Sequence, residues 1–148
     1  MITATAEKFG YPQRKLFENK HWLLLLRPAQ VTLGSMVVVS KSSAESLATI
    51  SDKAFATFPE TCQYAERALK ELFSAEKFNY LALMMVDPHV HFHLIPRYSN
   101  PVHYLGEEFV DTYWPKPVKI LESLYLSENV IEQLGNDLKS VLPDPTSA

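Results

Sequence analysis

The chain has 148 residues, of which 47% are hydrophobic and 21% are charged, and its formal net charge is −3. This composition is typical of one globular domain and lies far from the low hydrophobicity of disordered chains. Because the chain has no overall positive charge, we expect no nucleic-acid partner, although a few oriented donors still suffice to bind a small anion.

The sequence also predicts a compartment. Cys62 is the single cysteine, which excludes an intrachain disulfide and favours a reducing environment. The longest apolar run, residues 22–26, is too short to span a bilayer, and the N-terminus lacks the pattern of a secretion signal. We therefore expect a cytoplasmic protein without a membrane anchor.

The first part of the chain alternates turn residues with short apolar segments. Residues 1–15 are polar and mixed, and they predict a loosely attached lead-in. Residues 16–18 and 21–27 predict two antiparallel strands joined by a turn, the second of them buried on both faces. After Gly34, residues 36–39 predict a third strand because consecutive valines favour a sheet.

The pattern then changes to the period of a long helix. Apolar residues recur at three- and four-residue steps, as one helix face requires: Phe55, Phe58, Cys62, Ala65, Leu69 and Leu72. Pro59 lies inside this pattern, so the helix either kinks there or begins again there. Because Cys62 belongs to the apolar face, we expect it in the core.

The second half predicts further strands and a terminal helix. Residues 78–86 and 89–95 read as neighbouring central strands joined by a turn at Asp87-Pro88. Residues 99–118 combine prolines with aromatic residues, which predicts an ordered loop packed on the body. Ser127 is placed to cap a helix that stops before Pro143.

Together these elements predict an α+β fold with about five mostly antiparallel strands, one long helix and a C-terminal helix. We expect a single domain over residues 1–148, with a core at about 10–98 and a loop plus C-terminal helix at 99–148.

Three histidines carry the functional prediction. His89, His91 and His93 alternate with apolar residues, so on one strand the imidazoles share a face while their neighbours face the core. Imidazole brings polar nitrogens that a core position does not need, which favours a site over structural histidines. The middle residue, His91, is the candidate nucleophile, because one ring nitrogen can attack if a backbone carbonyl holds the other protonated.

A metal site is the alternative, because histidines two residues apart on a strand can share an ion. On a straight strand the backbones of His89 and His93 lie roughly 13 Å apart, so one ion takes at most two of the three rings. No other cluster of ligand residues has obvious metal spacing. We therefore expect no metal and no cofactor, and we keep a two-histidine metal site open.

The run His89-Val90-His91-Phe92-His93-Leu94-Ile95, followed by Pro96-Arg97, resembles the histidine triad (HIT) family, whose signature alternates histidine with apolar residues. The likeness extends over much of residues 10–98. It implies a HIT-like fold and a homodimer whose sheet continues across the subunits. It also implies hydrolysis or transfer of nucleotidyl groups from dinucleoside polyphosphates, nucleoside phosphoramidates and related small-molecule substrates.

The resemblance implies roles for single residues. His91 would attack the α-phosphorus and form a nucleotidyl-histidine intermediate, while His89 and His93 would orient it and stabilise the phosphoryl oxygens. Asn79, ten residues before His89, has family-like spacing and is a candidate nucleotide contact.

Three positions depart from the family pattern. Ser35 stands where many members carry a fourth histidine, and Met85 stands where Asn or Gln contacts a phosphate. Arg27 occupies the place of an Asn near the ribose, and it either contacts phosphate or closes the strand end in solvent. Ser35 and Arg27 are further candidate nucleotide-binding residues. Because Ser35 replaces the fourth histidine and Met85 replaces the Asn or Gln phosphate contact, a nucleotide-binding module with little turnover is the alternative function.

Other residues have weaker patterns. His21 and His103 are expected at the surface or partly packed. Tyr104, Tyr113 and Trp114 either pack the long loop or stack on a nucleobase, and packing is the preferred interpretation.

Overall fold

The computed structural model describes residues 1–141, so Pro143 and the end of the predicted domain lie outside the described residues. In chain order the elements are α1 (Ala4–Lys8), β1 (Lys15–Glu18), β2 (Trp22–Leu26), β3 (Ala29–Gln30), β4 (Met36–Ser40), α2 (Asp52–Phe73), β5 (Lys77–Leu81), β6 (His91–Arg97), β7 (Val102–Tyr104), β8 (Glu107–Phe109), β9 (Leu124–Tyr125) and α3 (Glu128–Ser140), with a short 3₁₀ turn at Leu47–Thr49. Within residues 1–141, no helix has both the length and the apolar character needed to cross a bilayer.

The main sheet has the strand order β1-β2-β4-β6-β5, and every neighbouring pair is antiparallel. This confirms the α+β prediction of about five mostly antiparallel strands with a long and a C-terminal helix. β5 and β6 pair as predicted, but β5 lies at the edge of the sheet and not at its centre. Two small ladders, β3 with β9 and β7 with β8, lie outside the main sheet.

Strand β2 is buried on both faces, as its apolar run predicts. Trp22, Leu24 and Leu26 face the larger apolar cluster, to which α2 and α3 contribute, and the Trp22 Nε1 donates to the carbonyl of Ala54 at 2.7 Å. Leu23 and Leu25 project from the other face into a smaller cluster. The sheet therefore separates two packed layers of unequal size.

Helix α2 runs unbroken through Pro59, so it does not begin again there. Its N-cap is Ser51, whose hydroxyl accepts from the Ala54 amide at 3.1 Å. The face it buries is rotated from the predicted one and consists of Ala54, Thr61, Ala65, Ala68, Leu69 and Phe73. Phe55 is 38% exposed and Cys62 is half-buried, so the prediction that Cys62 lies in the core is wrong. Small side chains on the buried face let the helix approach the sheet closely.

Gly34 is required by that close approach. Its φ is +91°, a left-handed conformation that glycine adopts without strain, and a Cβ built there would lie 2.4 Å from Cδ2 of Leu69. A larger residue at this turn would adopt a strained backbone conformation and would force the Leu69 side chain to move.

The N-terminal segment is not the loose lead-in that its composition predicts. Thr3 caps α1 by accepting from the Ala6 amide at 3.2 Å, and Ala6 and Phe9 pack on the smaller apolar cluster. Two apolar side chains three residues apart lie on one side of a helical turn, which suffices to attach the segment. α1 therefore covers the sheet face opposite α2.

The segment 99–118 is packed on the body, as predicted, and contains the β7–β8 hairpin. Tyr104 packs edge-on against Phe73 at 5.4 Å between ring centroids, and its hydroxyl donates to Asp137 at 2.6 Å. After this segment, Ser127 caps α3 as predicted by accepting from the amide of Val130 at 3.3 Å.

Candidate active site

The histidine motif straddles the start of a strand. β6 begins at His91, and His89 lies in the connection 82–90, so the prediction that all three histidines share one strand is wrong for His89. β5 ends at Leu81, shortly before Met84 adopts a φ of 45°, and the chain then forms a loop instead of a tight turn at Asp87-Pro88. Residues 82–86 are all apolar, and a continuous apolar run is also typical of a buried strand, so the sequence pattern predicts a strand where the chain forms a loop.

His91 and His93 do share one sheet face, as predicted. Their ring centroids lie 4.9 Å apart at nearly a right angle. The alternate residues Val90 and Leu94 are fully buried in the larger cluster on the opposite face, and Phe92 packs against it. The apolar set therefore fixes the register that presents both imidazoles together.

Both imidazoles line a cavity of about 490 Å³, a volume typical of a small-molecule site. Segments that are distant in sequence close it: the end of α1, the residues after β2, the loop 82–90, and the chain before α3, which the β3–β9 ladder brings alongside. Besides the two histidines, the lining consists of Lys8, Phe9, Arg27, Pro28, Ala29, Leu83, Met85, Val86, Asp87, Ile120, Leu121 and Tyr125.

The tautomer of His91 is fixed by its neighbour's backbone. The Nδ1 of His91 lies 2.7 Å from the carbonyl oxygen of His89. A carbonyl only accepts, so Nδ1 carries the proton and donates it. The other ring nitrogen, Nε2, is then left with a free lone pair, which is the arrangement that a nucleophilic imidazole requires.

His89 contributes its backbone carbonyl to this site, whereas its ring does not line the cavity. The ring is half-buried, and its Nδ1 lies 3.0 Å from the hydroxyl oxygen of Thr5 in α1. The side chain of His89 thereby ties the loop 82–90 to the N-terminal segment. This contact holds in place the carbonyl that orients His91.

Two further residues of the N-terminal segment belong to the site. Phe9 packs at 5.6 Å from the ring centroids of both His91 and His93. Lys8 forms an ion pair with Asp87 at 2.8 Å beside the cavity. Sequence reasoning missed both, because a short helix with few apolar residues gives almost no periodic signal.

The end of the cavity at Arg27 and His93 contains buried nitrogens without hydrogen-bond partners in the described part of the chain. Nε and Nη1 of Arg27 and Nδ1 of His93 are buried, and none has a hydrogen-bond partner among residues 1–141. Burial lowers the pKa of Arg27. Burial, helped by the nearby charges of Arg27 and His91, lowers the pKa of His93 to about 4, so this ring is neutral at physiological pH.

Two predicted nucleotide contacts are not brought to the cavity. The Ser35 hydroxyl donates to the carbonyl of Thr32 at 2.8 Å and accepts from the Thr32 amide at 3.0 Å. Asn79 accepts from Nη1 of Arg97 at 2.8 Å. The Ser35 hydroxyl is thus used on both sides by Thr32, the Asn79 oxygen is used by Arg97, and neither residue lines the cavity.

Of the remaining candidate residues, some line the cavity and others lie outside it. Met85 lines the cavity and is 81% exposed. His103 is exposed beside Glu108, outside the cavity. Tyr104, Tyr113 and Trp114 do not line the cavity, and its aromatic residues are instead Phe9 and Tyr125.

A metal centre finds little support in the geometry. Across residues 1–141, no group of three or more His, Cys, Asp or Glu side chains is placed to hold an ion. A two-histidine site would have to use His91 and His93 without a third protein ligand from the described part of the chain.

Comparison with known proteins agrees with the fold and the motif. The HIT domain profile matches residues 8–100, and no curated protein matches the chain. A histidine triad (HIT) protein from Sinorhizobium meliloti 1021 is 17% identical in sequence, with a TM-score of 0.73 and 96% of each chain covered. A histidine triad protein from Bradyrhizobium japonicum is 16% identical, with a TM-score of 0.71, and the match covers 97% of this chain and 98% of that one.

A third similar structure is the diadenosine triphosphate hydrolase of Plasmodium falciparum in complex with cyclomarin A. It is 14% identical, with a TM-score of 0.64, and the match covers 87% of this chain and 76% of that one. At these identities the structural likeness concerns the fold, whereas the profile match covers well over half of the sequence and includes the histidine motif. The chain therefore belongs to the HIT domain family, a superfamily of nucleotide-binding hydrolases and transferases.

Proposed function

We propose that the protein is a cytoplasmic nucleotidyl hydrolase or transferase that acts on the α-phosphate of dinucleoside polyphosphates, nucleoside phosphoramidates or similar nucleotide conjugates. The observation that carries this proposal is the 2.7 Å bond from Nδ1 of His91 to the carbonyl of His89. It leaves Nε2 unprotonated on a residue that lines a cavity of suitable size.

The reaction proceeds in two displacements. In the first, the Nε2 lone pair of His91 forms a bond to the α-phosphorus, and the bond from phosphorus to the leaving group breaks with its electrons. In the second, water or another acceptor attacks the phosphorus and releases its proton to solvent, the electrons of the nitrogen–phosphorus bond return to Nε2, and the nucleoside monophosphate or its conjugate leaves. The proton on Nδ1 stays in place throughout, and the His89 carbonyl stabilises the positive charge that the ring acquires.

The charges around the cavity support an anionic substrate. Arg27 and Lys8 are cationic, and the lining contains one carboxylate, Asp87, which is paired with Lys8. His93 is neutral, so its ring can offer a hydrogen bond to a phosphoryl oxygen. The apolar lining at Leu121 and Tyr125 suits the flat face of a nucleobase.

The experiment is a comparison of His91→Gln with His103→Gln. Release of nucleoside monophosphate from diadenosine triphosphate and from an AMP-amidate is measured by chromatography. We expect His91→Gln to lose at least about 10³-fold in kcat, because the nucleophile is removed. His103 is exposed outside the cavity, so its variant should match the wild type. Turnover that persists in His91→Gln would overturn the proposal.

The second candidate is a nucleotide-binding module with little turnover. It is favoured by the absence of Ser35 from the cavity, which leaves no group at that position to protonate a leaving group, and by Met85, whose side chain cannot donate a hydrogen bond to a phosphate. Calorimetry that finds AMP or GMP bound, together with no product from either substrate, would establish this alternative.

We also propose a homodimer in which the sheet continues across the subunits. β5 lies at an edge of the main sheet, where unpaired backbone groups can accept another strand. Light scattering coupled to gel filtration should give twice the monomer mass, and a monomer at micromolar concentration would contradict the proposal.

A further inference from the structure

The position of Arg27 follows from the ladder of the main sheet. Its amide donates to the carbonyl of Ser35 at 2.9 Å, which continues the β2–β4 pairing by one residue beyond Leu26. Leu25 pairs with Val37, and Val37 pairs with His93. Arg27 is two residues beyond Leu25, so its side chain leaves the same sheet face as the two imidazoles.

The same register separates Arg27 from the nucleophile. Strands lie about 4.8 Å apart and residues rise about 3.3 Å, so Arg27 and His93 are about 12 Å apart between Cα atoms. His91 pairs with Val39 and lies another two residues away, at about 16 Å from Arg27. The lowered pKa of His93 agrees with this order, because the Arg27 charge is one of its causes. Arg27 thus belongs to the His93 end of the cavity.

The guanidinium of Arg27 lacks a counter-charge in the described structure. Nε and Nη1 are buried without an acceptor, and no ion pair among residues 1–141 includes this side chain. His93, which is 6% exposed, also has an unpartnered buried nitrogen at this end. Buried polar groups normally have partners, and a partly buried cation without a nearby anion is unfavourable, so this end suits a ligand that brings one.

We propose that Arg27, which lies beyond His93 in the cavity, forms a second anion subsite, separate from the phosphate that His91 attacks, and that the preferred ligands are nucleotides with two phosphate groups. This inference rests on the proposed function for the identity of the first phosphate. The second phosphate either follows the first in the chain, as in ADP, or sits on the ribose, as in adenosine 3′,5′-bisphosphate. A guanidinium suits either, since its fork of donors matches phosphate oxygens.

The test is calorimetric binding of AMP, ADP and adenosine 3′,5′-bisphosphate to the full chain. Wild type should bind ADP or the bisphosphate about tenfold more tightly than AMP, the size expected for one charge-assisted contact. In Arg27→Met that preference should fall to about twofold while AMP affinity stays within about threefold, and Arg27→Lys should lie between. The probe that loses affinity identifies the source of the second phosphate.

The control is Arg67→Met, because Arg67 is an exposed arginine on α2 that pairs with Glu71. It should leave all three affinities unchanged. Arg27→Met should also melt at an equal or higher temperature than wild type without ligand, because it removes a partly buried charge that has no ion-pair partner among residues 1–141. The melting temperature thus distinguishes a loss of binding from a failure of the variant to fold.

Three outcomes would overturn the subsite: equal affinity of wild type for all three probes, an equal loss of AMP and diphosphate binding in Arg27→Met, or no binding of any probe. Failure of the proposed function is a different result, namely retained diphosphate preference without turnover of any conjugate.

Discussion

Two arginines on the same sheet face have opposite environments. Arg97 is 4% exposed and donates through Nε and Nη2 to both oxygens of Asp111, at 2.7 and 3.2 Å, with further bonds to Asn79 and to the carbonyl of Lys116. Arg27 has two buried nitrogens without any partner among residues 1–141. The Arg97 charge therefore stabilises the fold, whereas the Arg27 charge is available to a ligand.

The different environments of Arg97 and Arg27 follow from the different roles of the two ends of this sheet face. Asp111 lies in the segment 99–118, so the Arg97 cluster fastens that segment to the end of β6. Around Arg27 the chain leaves a cavity open, and no carboxylate of residues 1–141 pairs with the guanidinium. Unsatisfied polar groups are expected where binding takes precedence over stability.

The largest expected effect is on the free energy of unfolding, and it comes from replacing Arg97. Arg97→Met should lower the free energy of unfolding by about 3 kcal/mol, because it leaves the buried Asp111 carboxylate unpaired. Arg27→Met should lower it by nothing measurable. Urea denaturation of both variants measures the difference, with the exposed Arg67→Met as the control. Equal losses in the two buried-site variants would break the comparison.

The next effect concerns pH and the neutral ring of His93. Its pKa is about 4 in the folded protein against 6.5 for an ordinary histidine. Between these values the unfolded chain binds more protons, so stability falls as the pH is lowered from 6.5 towards 4, by about 3 kcal/mol at most. Above pH 6.5 this contribution is constant.

His93→Gln isolates the effect, because other groups also titrate on acidification. The loss of stability of the variant between pH 6.5 and pH 4 should be smaller than that of the wild type. Denaturation curves at several pH values measure both. Parallel losses in the two proteins would show that His93 is not held neutral by its surroundings.

The smallest effect tests the N-terminal segment. Thr5→Val removes the hydroxyl that contacts His89 and should lower kcat about fivefold with little change in KM, the size of one net hydrogen bond. Thr5→Ser keeps the hydroxyl and should recover the wild-type rate. A Ser variant as slow as the Val variant would assign the effect to packing alone.

Local patterns in the sequence predict much of this fold. The leucine run of β2, the valines of β4 and the Ser127 cap each determine their own element, and the alternation after His91 fixes which face the two imidazoles occupy. These features depend on neighbours in sequence, so no tertiary information is needed.

What the sequence could not predict depends on which hydrogen-bond partner each polar side chain meets in the folded chain. Ser35 and Asn79 have family-like positions, but bonds to Thr32 and Arg97 decide where their polar atoms go. The role of Thr5 appears only once α1 is packed against the loop that carries His89. The sequence allows Arg27 to be either a phosphate contact or a solvent-exposed strand end, and burial of Nε and Nη1 argues against the second.

The most direct test of the nucleophile is mass spectrometry of the intact protein after a rapid, acid-free quench with a dinucleoside polyphosphate. Wild type should carry a nucleotidyl adduct that peptide mapping places on His91, and His91→Gln should carry none. Turnover by wild type without an adduct at any quench time, or an adduct on another residue, would contradict the assignment of His91.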